Sequence, residues 1–81
     1  MTGPNTDQKI GSAYRDALRR RGITHTQAAR AAGWSDIRVA RLCSGKIHWR
    51  VEDLLRASAI LEIEPTALLT DAGVKLPGET N

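Results

Sequence analysis

Three glycines, Gly22, Gly33 and Gly45, lie 11 and 12 residues apart and divide the first half of this chain into short segments. Glycine adopts the left-handed conformation that commonly stops a helix, so each of the three marks a C-terminal boundary. Good starts follow two of them. Thr24, with Gln27 three residues later, reads as a capping box: the hydroxyl accepts from the third amide and the Gln side chain reaches back. Ser35 caps the next segment, with Asp36 favourable in its first turn. Starts and stops this dense specify several short helices in succession. The abundance of Ala and the absence of β-branched runs agree.

The remaining elements follow the same logic. Asn5 or Thr6 caps a first helix, with Gln8 as box partner for Asn5. Ile10, Ala13, Tyr14, Ala17 and Leu18 repeat as one buried stripe, and Arg15, Arg19 and Arg20 fall largely off it. The second helix carries Ala28, Ala29, Ala31 and Ala32, small enough for another helix to approach closely. Trp34 lies in the turn, and Val39 and Leu42 are the inward pair of the third helix. A basic loop, Lys46 to Arg50, leads to a fourth helix with Val51, Leu54, Leu55, Ser58 and Leu61 along one broad face. Pro65 suits the first position of a short fifth helix bearing Leu68 and Leu69. The expected fold is all-α, a compact bundle of about five short helices. Residues 1–5 are expected to be disordered, residues 6–71 to form the domain, and residues 72–81 to form a flexible tail.

Several function classes fall away. A chain of 81 residues makes one small domain, which buries only about 60% of the surface of its unfolded chain, so a deep cleft between lobes is not expected. Cys43 stands alone, which excludes an internal disulfide framework and a Cys-rich zinc site. No apolar run approaches the roughly 20 residues of a membrane span. The opening MTGPNTDQK lacks the order of a signal peptide, and the expected location is the cytoplasm. His25 and His48 have no Ser–His–Asp set, metal spacing or phosphate loop around them. No catalytic residue, metal ligand, cofactor or small-molecule ligand is therefore expected.

Charge is divided unevenly. From Asp7 to Arg50, ten Lys or Arg face three Asp, a balance of +7; from Val51 onward, two cations face six acids, a balance of −4. Such asymmetry suits a chain that turns one face to a polyanion. Within the basic half, two short helices joined by Gly33-Trp34-Ser35 have the helix-turn-helix plan, in which the second helix enters the major groove.

Residues 23–69 resemble the lambda-repressor and Cro type of helix-turn-helix domain, the XRE family. The family's Leu-Thr-Gln opening is Ile23-Thr24-His25, with Gly33 nine residues after the Thr. Its turn is Gly33-Trp34-Ser35, its Ile-Ser-Arg-Ile is Val39-Ala40-Arg41-Leu42, and its Gly-Lys is Gly45-Lys46. Further on, Leu-Glu-x-Leu-Leu is matched by Val51-Glu52-Asp53-Leu54-Leu55, and a final Leu-Leu by Leu68-Leu69. Three positions depart. His25 replaces a backbone-contacting Gln. Trp49 stands where Pro is common, and either packs over the core, as its size favours, or lies against the sugar–phosphate face. Cys43 near the end of the third helix has no neighbours in sequence that would secure a thiolate.

The resemblance implies a sequence-specific reader of double-stranded DNA: a small transcriptional regulator, most simply a repressor in a bacterial or phage setting. Ser35, Asp36, Ile37, Arg38 and Arg41 would include the base-facing set, since Arg pairs with guanine, Asp accepts from cytosine and Ile touches a thymine methyl. His25, Ser44, Lys46, His48 and Arg50 would position the phosphate backbone. The Arg19-Arg20-Arg21 run adds long-range attraction. The expected partners are a DNA operator and a second copy in a weak homodimer, assembled in solution or only on DNA, with Pro65, Leu68, Leu69, Val74 and Leu76 as apolar surface. The alternative is a protein-interaction module on the same fold, such as an antitoxin-like partner, which the basic first half disfavours.

Overall fold

Five helices form between those starts and stops in the computed structural model, which describes residues 5–74. They are α1 (Thr6–Arg20), α2 (His25–Ala32), α3 (Asp36–Ser44), α4 (Val51–Leu61) and α5 (Pro65–Asp71), and no strand occurs among the described residues. No described helix is long and apolar enough to cross a membrane. The expectations for residues 1–4 and 75–81, Leu76 among them, lie outside the described residues.

The starts are side-chain caps. Asn5 Oδ1 accepts from the Gln8 amide at 2.8 Å, and Gln8 Oε1 accepts from the Asn5 amide at 3.1 Å. Asn5 therefore caps α1 instead of sharing the expected disorder of residues 1–5. Thr24 and Gln27 form the second box, at 3.1 and 2.9 Å. Ser35 Oγ accepts from the Arg38 amide at 3.1 Å.

All five helices stop in the same way. A residue of positive φ follows each, directly at Gly33, Gly45 and Glu62 and after one intervening residue at Gly22 and Gly73. In each case the next amide reaches back to a carbonyl one turn inside, as Trp34 does to Ala29 at 2.8 Å and Val74 to Leu69 at 3.0 Å. In four of the five the reaching residue is apolar. Ile23, Trp34, Ile63 and Val74 all pack against the core, so one local motif both ends the helix and seals an edge of the domain. Ala72 and Val74, expected to open a flexible tail, pack against the core as well. Glu62 does the same work at φ 58° without glycine's freedom.

The core gathers Ile10, Tyr14, Leu18, Ala28, Ala29, Val39, Cys43, Ala57, Leu61 and Leu68, with Leu42 also fully buried. Helix α1 crosses α3 closely because Gly11 has no side chain; a Cβ there would sit 2.6 Å from the Cys43 carbonyl oxygen. Trp49 packs, as its size favours. Its ring meets Tyr14 edge to face at 5.3 Å and its Nε1 donates to the Leu42 carbonyl at 2.9 Å. The buried side of α4 keeps Ser58 and Leu61 from the expected face and otherwise differs from it. Asp53, Ala57, Ser58 and Leu61 face inward, while Val51 and Leu55 are 72% and 52% exposed. Ser58 is accommodated because its hydroxyl donates to the Leu54 carbonyl at 2.8 Å.

Candidate nucleic-acid interface

Helix α3 has two unlike sides. Val39, Leu42 and Cys43 are buried. Ile37, Ala40, Arg41 and Ser44 are exposed, and their spacing of i, i+3, i+4 and i+7 sets them along one outward stripe. Ile37, 63% exposed, is an apolar side chain held in solvent. Arg41 makes no side-chain hydrogen bond or ion pair among the described residues. Ser44 Oγ donates to the Arg41 carbonyl at 3.1 Å. Ala40 belongs to the stripe although its sequence gave no polar signal; only the exposed face of the folded helix identifies it.

The other expected base readers are already engaged. Ser35 spends its hydroxyl on the cap. Asp36 Oδ2 accepts from the Thr26 hydroxyl at 3.0 Å, tying the start of α3 to α2. Arg38 departs furthest from expectation. Its Nη2 donates to Asp53 Oδ1 at 2.8 Å, and its guanidinium lies 5.7 Å from the Trp34 ring centroid. The Asp53 side chain is 4% exposed, and its second oxygen accepts from the Arg50 amide at 3.0 Å. Arg38 thus clamps α3 to the start of α4. Sequence reading missed Asp53 because an acid in a first turn is ordinarily a solvent-facing dipole partner.

The expected backbone-contacting residues lie at the start of α2, at the end of α3 and in the loop that follows it. His25 is exposed at the first position of α2, with Nε2 3.9 Å from Cys43 Sγ. Lys46 and Arg50 are exposed at the two ends of the basic loop. His48 is exposed but paired, Nδ1 donating to Asp7 Oδ2 at 2.7 Å. Asp7 Oδ1 accepts from the Trp49 amide at 2.8 Å, so the start of α1 holds the loop in place. Arg56 supports the far side: its Nη1 donates to the Ala32 carbonyl at 2.6 Å and its Nη2 to Glu52 at 3.0 Å.

Cys43 is a free, buried cysteine. Burial pushes its thiol up to about 11, against a small opposing pull from Arg15. No cluster of three or more His, Cys, Asp or Glu able to hold a metal occurs among the described residues.

Residues 14–70 match the model of a helix-turn-helix domain family. A comparison with curated protein sequences finds no match. Among solved structures, the clp gene regulator ClgR from Corynebacterium glutamicum superposes with a TM-score of 0.84 at 22% identity, over 88% of this chain and 92% of that one. The restriction-modification controller protein C.AhdI from Aeromonas hydrophila superposes with a TM-score of 0.72 at 23% identity, over 75% of this chain and 92% of that one. At such identities the likeness is one of fold.

Proposed function

The chain belongs to a family of helix-turn-helix domains, and from that premise we propose that it binds double-stranded DNA with α3 in the major groove, as a small transcriptional repressor. The observation that carries this is the outward stripe of α3: Ile37, Ala40 and Arg41 are held in solvent on a helix whose opposite side is locked into the core. A major groove about 12 Å wide admits one such helix. Arg41 reads guanine through its unengaged guanidinium, and Ile37 and Ala40 meet thymine methyl groups. Asp36 and Ser35 lie at the helix start, where recognition helices approach base edges; Asp36 keeps one carboxylate oxygen free for a cytosine amino group. Arg38 serves as a strut that orients the reading helix.

His25, Ser44, Lys46, His48 and Arg50 set the register against phosphates. The regulators ClgR and C.AhdI, alike in fold, are consistent with a regulatory role in the cytoplasm, where occupying a promoter excludes polymerase. One helix of this size reads few base pairs, which favours a weak homodimer on an inverted repeat. Leu68 is buried, and Leu69 and Val74 pack against the core. Val51 and Leu55, exposed four residues apart on α4, are the apolar surface proposed for the dimer contact.

Selection of bound duplexes from a random pool tests the reading directly. An enriched, two-fold symmetric sequence is the expected result. Arg41→Ala should then cost about 1–3 kcal/mol on that duplex and relax preference at one base pair. A pool that shows no enrichment, with binding that does not weaken as salt rises, refutes DNA recognition.

A further inference from the structure

A cleft of about 340 Å³ opens between α1 and the start of α2, lined by Arg15, Leu18, Arg19, Ile23 and His25. Its rim carries two arginines and a histidine, and Leu18 and Ile23 supply its apolar lining. Arg15 and Arg19 are both exposed and stand four residues apart on one helix, a like-charge arrangement that costs helix stability. Neither meets a carboxylate: the ion pairs among the described residues are Arg38–Asp53, His48–Asp7 and Arg56–Glu52.

The cleft also adjoins the reading helix. His25 reaches to 3.9 Å of Cys43 Sγ on α3, and Arg15 is near enough to Cys43 to act on its thiol. Arg41 and Ser44, two residues before Cys43 and one after it, are on the outward stripe. Arg20 and Arg21 belong elsewhere. They line a different depression, together with Leu61, Ile63 and the acidic Asp71.

We propose that the α1–α2 cleft is a phosphate seat that takes one phosphodiester of the DNA backbone beside the C-terminal half of α3, held by Arg15 and Arg19 together with His25. This rests on the DNA-binding reading and deepens it. It brings α1 into the interface and divides the arginine run, giving Arg19 a direct contact and leaving Arg20 and Arg21 as distant charge. Guanidinium groups suit the role because their planar donors match phosphate oxygens in pairs.

Charge-matched variants provide the test. Arg15→Gln, Arg19→Gln, Arg20→Gln and Arg21→Gln each remove one positive charge from an exposed site on or beside α1. Circular dichroism checks that each stays helical, and binding is titrated over a range of salt on a selected duplex and on a random-sequence duplex of equal length. Arg15→Gln and Arg19→Gln should each weaken both duplexes alike, by roughly tenfold at moderate salt, and reduce the log K against log [salt] slope by about 0.9. Arg20→Gln and Arg21→Gln should leave the slope nearly unchanged. Four equal effects, or effects confined to the selected duplex, would overturn the phosphate seat while leaving DNA binding intact. Failure of the parent chain to bind either duplex would instead overturn the DNA-binding reading and the seat with it. Inorganic phosphate, titrated by NMR, is the second arm. Saturable shifts confined to the cleft, with no loss of DNA affinity in Arg15→Gln, would identify a free-anion site and overturn the backbone assignment.

Discussion

Arg38→Met tests whether this arginine is a strut or a reader. The substitution keeps much of the aliphatic stem and removes the guanidinium. The charge-assisted hydrogen bond to Asp53, at 2.8 Å, is lost; bonds of this kind contribute about 1.5–3 kcal/mol. The contact with the Trp34 ring at 5.7 Å goes with it, a further ~0.5–1 kcal/mol. Asp53, 4% exposed, is left with the Arg50 amide as its remaining partner. Orphaning one member of a fully buried pair costs about 3–5 kcal/mol. Arg38 is 35% exposed, so water screens the pair and reaches the vacated side; the expected cost falls to about 2 kcal/mol. Asp53→Asn, which lets Arg38 turn to solvent, should cost about 1 kcal/mol. The double variant should fall short of the summed single costs by about 1 kcal/mol, because the second change removes a partner already lost. Urea unfolding followed by circular dichroism measures all three. In a chain of this size each kcal/mol moves Tm by about 4–8 °C. Coupling below about 0.3 kcal/mol would refute the strut. So would a selection experiment in which Arg38→Met alters preference at one base pair and leaves the fold as stable as before, since that is how a base reader behaves.

Glu62→Gly should stabilise the domain by roughly 0.5–1 kcal/mol in thermal unfolding, because a side chain at φ 58° pays a left-handed penalty that outweighs glycine's greater freedom when unfolded. Gly11→Ala should destabilise by about 2 kcal/mol, although alanine favours a helix by about 1 kcal/mol; the new Cβ meets backbone oxygen at 2.6 Å, which cannot turn aside. An unchanged midpoint would show that α1 can slide off α3. Cys43, held at about 11 against an ordinary 9.0, and Tyr14, raised further by burial, both bind their protons more tightly when folded. Their contribution to stability is complete below the unfolded values and is lost as pH rises through the folded ones, so unfolding free energy should decline above about pH 9. Cys43 should accordingly resist alkylation at pH 8 until the chain is unfolded, and rapid labelling of the native protein would contradict this.

Local chemistry made the helices legible before folding. Thr24 and Gln27, Asn5 and Gln8, and Ser35 cap amides within three residues of themselves, so their partners stand in the sequence beside them. Gly33 and Gly45 stop helices for an equally local reason, the absence of a Cβ at positive φ. The inward pair Val39 and Leu42 follows from helical period. Ile37 and Arg41, which the family resemblance marks as base-facing, are both exposed on α3. Tertiary structure decided what depended on distant partners. The contact of Arg38 with Asp53, fifteen residues on, is of this kind. Asp7 became the anchor of a loop more than forty residues away. Ser58 and Leu61 lie on the inner face that the helical period gives them, but Asp53 is buried there with its polar atoms satisfied while Val51 and Leu55 are exposed. A cap or a stop is settled within one helical turn, where sequence and space coincide. A clamp, a close crossing at Gly11 or a cleft between Arg15, Arg19 and His25 exists only once separate helices have been brought together by the burial of a shared core.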